Sequence, residues 1–111
     1  MEFKDYQNKI YRAIPDHESQ KDEILHWAIG LSEECGEVMS VLKHHYYGGE
    51  DFNREELIKE IGDVLWYTAA LCTAAGVNMD SIAKCASTNS TLTTRGISCL
   101  LIPHIAAMGW M

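Results

Sequence analysis

An all-α fold, an antiparallel bundle of three to four helices, is what this sequence predicts. Apolar residues recur at three- and four-residue spacing through most of the chain. Only two prolines, Pro15 and Pro103, interrupt 111 residues. Capping and turn residues fall between the periodic runs, where helices need to stop and start. The length is that of one domain, residues 1–111, with no room for two independent cores.

Taken in order, Phe3, Tyr6, Ile10 and Ile14 mark a first helix that Pro15-Asp16 ends. Ser19 caps a second, longer helix running to about residue 46, with Ile24, Leu31, Val38 and Leu42 on one face. Gly48-Gly49-Glu50-Asp51 is a loop signal. Asn53 caps the third helix, with Glu56 three residues on in capping-box position. Leu57, Ile61, Val64, Leu65, Thr68, Leu71 and Cys72 continue it, and Gly76 suits its C-terminus. Asp80 or Asn78 caps a fourth helix beginning near Ser81, and the pattern weakens beyond Ala86. A short loop between two long helices makes the second and third antiparallel neighbours.

Composition narrows the function. The net charge of −7 argues against a chain that works by neutralising nucleic-acid phosphates. No apolar run reaches the about 18 residues that span a bilayer, and the N-terminus is too polar for a signal peptide, so no membrane partner and a cytoplasmic location are expected. Cys35, Cys72, Cys85 and Cys99 form no CxxC pair, and Cys35 and Cys72 read as small hydrophobes inside apolar helical patterns. A ferritin-like di-iron site wants Glu-x-x-His on two helices, and that pairing is absent.

The informative feature is where certain acids fall. With about 100° per residue and Leu31 set at zero, Glu34 lies at about 300°, within an apolar stripe beside Trp27, and Glu37 at about 240°. With Leu57 at zero, Glu60 and Asp63 occupy the same two directions on the third helix, about 300° and 240°. Glu33, Glu55 and Lys59 point further outward and look like ordinary solvated charges. Any one ExxE on a helix is commonplace, but matching pairs on adjacent helices place four carboxylates around one small volume. Such a cluster is unfavourable unless a cation sits in it, and an all-oxygen donor set suits Mg²⁺, with Mn²⁺ as substitute.

At these residues the chain resembles the MazG-like all-α nucleoside triphosphate pyrophosphohydrolases. Glu33-Glu34-Cys35-Gly36-Glu37 fits their EExxE motif and Glu60-Ile61-Gly62-Asp63 their ExxD, within a similarity covering about 27–84. The resemblance implies hydrolysis of a (d)NTP to the monophosphate and pyrophosphate in nucleotide-pool housecleaning. It implies Mg²⁺ held by Glu34, Glu37, Glu60 and Asp63, and a homodimer or homotetramer with substrate pockets between subunits. Glu33 or Glu37 would serve as general base. Tyr67 matches a nucleotide-pocket tyrosine, although a core-edge aromatic would sit there equally well. Trp27 would stack on a base or pack in the core, and Trp66 points away from the apolar arc, as an interface residue would. Lys43 stands where the family often has a phosphate-neutralising base, against the plain reading of a solvated lysine. Asn89 and Arg95 correspond to the family's Asn and Arg with the register shifted, and 97–111 departs from the usual ending. That departure leaves a competing class, a non-catalytic interaction or metal-binding protein that kept the scaffold.

Overall fold

A computed structural model describes residues 1–14 and 19–88. Four helices form in the described residues: α1 (Phe3–Ala13), α2 (Gln20–Tyr46), α3 (Arg54–Ala75) and α4 (Met79–Thr88). The fold is all-α, and none of these helices is long and apolar enough to cross a membrane.

Helix boundaries follow local chemistry. Ser19 caps α2, its Oγ accepting from the Asp22 backbone N–H at 3.1 Å. Asn53 Oδ1 accepts from the Glu56 N–H at 3.0 Å to open α3. Gly76, at φ 72°, closes α3 in the left-handed conformation, and the next N–H, that of Val77, reaches back to the Cys72 carbonyl at 2.8 Å. At α4 it is Asn78 that caps, accepting from the N–H groups of Asp80 and Ser81. The helix starts at Met79, ahead of the expected Ser81, and continues through Ser87 and Thr88, whose hydroxyls donate back to the Lys84 carbonyl.

α2 and α3 make the central hairpin, and α1 packs on α3 and α4. Gly30 faces Tyr67 while Glu34 meets Glu60 and Asp63, so numbers rise along one helix as they fall along the other. The pair is antiparallel. Its core holds Trp27, Ala69, Ala70, Cys72, Ala74 and Met79, with Ile10 from α1. Trp27 packs its ring at 5.4 Å from that of Trp66 and 5.9 Å from that of Tyr67. The alanines across from it let the large rings fill the seam.

Three expectations are corrected by this packing. Trp66 is half-buried and packs on Trp27 at the core, not pointing away from the apolar arc. Cys35 is exposed, not part of an apolar face, whereas Cys72 is buried and its thiol pushed up by burial. The buried line of α3 passes through Glu60 and leaves Ile61 51% exposed, so the face that packs on α2 is not the one its aliphatic residues mark. Residues Pro15 and Asp16, and the atypical 97–111 segment, lie outside the described residues.

Candidate metal centre

The hairpin brings Glu34 of α2 together with Glu60 and Asp63 of α3. One carboxylate oxygen from each lies within 4.8 Å of the others. Glu60 is only 5% exposed, and Glu34 and Asp63 are half-buried. Three acids drawn from two helices therefore converge on the seam between them, with Glu60 inside it and Asp63 reaching solvent.

Electrostatics record the crowding. The Glu34 carboxyl is pushed above the usual carboxylate range, first by burial, then by the charges of Asp63 and Glu60, with a smaller contribution from Glu37. Glu60 is held below that range, chiefly by a hydrogen bond from Lys59 that outweighs its burial. Two carboxyls in contact thus diverge: one keeps its proton more readily so that the other can remain an anion.

Lys59 is where the simple outward-charge expectation fails. Its Nζ donates to Glu60 Oε1 at 2.9 Å and lies 3.7 Å from Glu56 and 3.8 Å from Asp63. The ammonium is shared among three acids, and its own proton affinity rises accordingly. Tyr6, on α1, is a second residue that helical azimuths could not reveal. Burial and then the charge of Asp63 push its hydroxyl up, so α1 brings it toward the acidic site.

The remaining candidates are distributed as follows. Glu37 lies one turn beyond Glu34 and is exposed; its charge reaches Glu34, but it is not among the three acids whose oxygens converge. Glu33 is exposed, about 100° round the helix from Glu34. Trp27 is 4% exposed and packs in the core. Tyr67 is half-buried, its ring against Gly30 so closely that a Cβ there would collide with it. Nine residues turn a helix by about 900°, so Lys43 faces away from Glu34, along an open groove with Met39 and Tyr46. Asn89 and Arg95 lie outside the described residues.

The donor set fits a hard divalent cation: three carboxylate oxygens, no sulfur or imidazole, and a repulsion that such an ion would relieve. No curated protein and no solved structure matched the chain. Residues 23–89 match the model of the MazG nucleotide pyrophosphohydrolase domain, a span that contains α3, nearly all of α2 and all three converging acids. With more than half its residues inside that match, the chain belongs to the MazG nucleotide pyrophosphohydrolase family.

Proposed function

We propose that the protein hydrolyses (d)NTPs to (d)NMP and pyrophosphate in a Mg²⁺-dependent reaction, with Mn²⁺ as substitute. One observation carries the reading: in a chain of this family, Glu34, Glu60 and Asp63 converge from two helices to within 4.8 Å. These three would hold the cation, with Glu37 one turn along α2 as a fourth donor. When bound, the ion supplies charge neutralisation for the triphosphate and polarises the scissile phosphoryl group.

The chain's own residues divide the remaining work. A protein of net charge −7 repels a polyphosphate, so the substrate is attracted only where that charge is locally reversed. Glu37 or Glu33, both exposed, would take a proton from the attacking water at a carboxylate oxygen. Tyr67, held by Gly30 and by the Trp27 and Trp66 rings, offers an aromatic edge and a hydroxyl to the nucleoside. Asn89 and Arg95 are assigned to substrate contact by family resemblance alone. Lys43 would reach a phosphate only from a neighbouring copy, since it faces away from the acids of its own chain.

Phosphate release from the eight common (d)NTPs, measured with added pyrophosphatase, tests the assignment. Wild type turns over at least one of them in Mg²⁺ and none in EDTA. Asp63→Asn and Glu37→Gln each lower that rate by more than about 100-fold while circular dichroism stays helical. Undiminished turnover in Asp63→Asn removes this site; silence of the wild type across all substrates removes the enzyme.

A further inference from the structure

Lys59 carries an inference that rests on the metal-site reading and goes beyond it. The oxygens of Glu34, Glu60 and Asp63 lie within 4.8 Å of one another, and Glu60 is almost fully shielded from water. Like charges so placed need a counter-ion. Lys59 provides one from within the chain, at 2.9 Å from Glu60 and 3.8 Å from Asp63. Its side chain is 62% exposed, so the ammonium enters from solvent on a flexible four-carbon stem and can return there still hydrated.

A second acid lies on the way out. Glu56, one turn earlier on α3, is 3.7 Å from the same Nζ, with 44% of its side chain exposed. A dication on the Glu60 and Asp63 oxygens would stand within a few ångströms of the ammonium. Two such charges cannot share those oxygens without strong repulsion.

We propose that Lys59 is a displaceable counter-ion: it occupies Glu60 and Asp63 when the divalent cation is absent and withdraws toward Glu56 when the cation binds, so that it sets the affinity of the site. The ammonium keeps the vacant acids from forcing the hairpin apart and weakens the cation by competing with it. Lys59 is a positioning residue on this account, and it acts before any nucleotide arrives.

Calorimetric titration of the metal-free chain with MnCl₂, without nucleotide, tests this alongside thermal melts in EDTA. Lys59→Met keeps the apolar stem and removes the charge. Its Kd for Mn²⁺ should fall roughly three- to tenfold, and its melting temperature in EDTA should drop below wild type and recover with Mn²⁺. Lys59→Arg, which keeps the charge, should retain the wild-type Kd within about twofold. An unchanged or weaker Kd in Lys59→Met, with wild type binding normally, overturns the inference and leaves the metal site standing. No heat of Mn²⁺ binding in the wild type itself overturns the metal-site reading and this inference with it.

Discussion

Glu34 and Glu60 touch across the hairpin and are driven in opposite directions, and this has a measurable consequence. A carboxyl raised in the folded state contributes stability that is complete below the ordinary carboxylate value and is lost as pH rises toward its raised one. Glu60, lowered by Lys59, behaves oppositely: its contribution is present above the ordinary value and lost only as pH falls below it. Between the ordinary range and the raised Glu34 value, Glu34 therefore dominates the slope. In EDTA the melting temperature should rise as pH is lowered through that window, and Glu34→Gln should flatten the trend. Saturating Mg²⁺ should reverse it, because a ligand carboxyl must lose its proton to bind; scanning fluorimetry in both buffers is the measurement. At this scale, helical azimuths marked Glu34, Glu37, Glu60 and Asp63 alike, did not set Glu37 apart from the three that converge, and hid Lys59. A direction about one helix axis does not say where a long flexible side chain ends.

The elements are joined by small, specific fittings. Gln7 of α1 is buried at the α3–α4 turn, donating to Thr73 Oγ1 and to the Val77 carbonyl at 2.9 Å while its Oε1 accepts from Met79 N–H at 3.1 Å. With Asn78 as its cap, α4 begins at Met79, two residues early. Its first N–H is satisfied by a residue 72 positions away, and no local pattern announces such a partner. Gln7→Ala should cost about 1–3 kcal/mol in urea melts, since buried partners lose their bonds. Gly30→Ala should cost a similar about 1–3 kcal/mol by forcing the Tyr67 ring aside. The same change should raise the KM for nucleotide if Tyr67 contacts the substrate, which steady-state kinetics will read. The other caps, Ser19, Asn53 and Gly76, needed only neighbours within four residues and were legible in advance.

Across the whole molecule, α2 and α3 carry apolar residues away from the seam as well as toward it. Leu25, Ile29, Met39, Tyr46, Ile58 and Ile61 are all exposed in the isolated chain. The proposed dimer or tetramer would cover residues of this kind. Light scattering should give a mass at least twice the 12.5 kDa of one chain. Met39→Glu combined with Ile29→Asp should reduce it to the monomer; an unchanged mass would place the contact elsewhere.

Sequence alone determined the helical class, most of the caps, the hairpin and four candidate acids, of which the structure draws three, Glu34, Glu60 and Asp63, together. Each of these depends on residues a few positions apart or on a fixed rotation per residue. Tertiary structure decided what those acids experience: the seam that buries Glu60 and exposes Ile61, the ammonium that Lys59 brings to them, and the approach of Tyr6; it also supplied Gln7 to the first N–H of α4. These follow from how bulky rings and long side chains settle between helices, a matter of three-dimensional fit that one-dimensional periodicity does not encode.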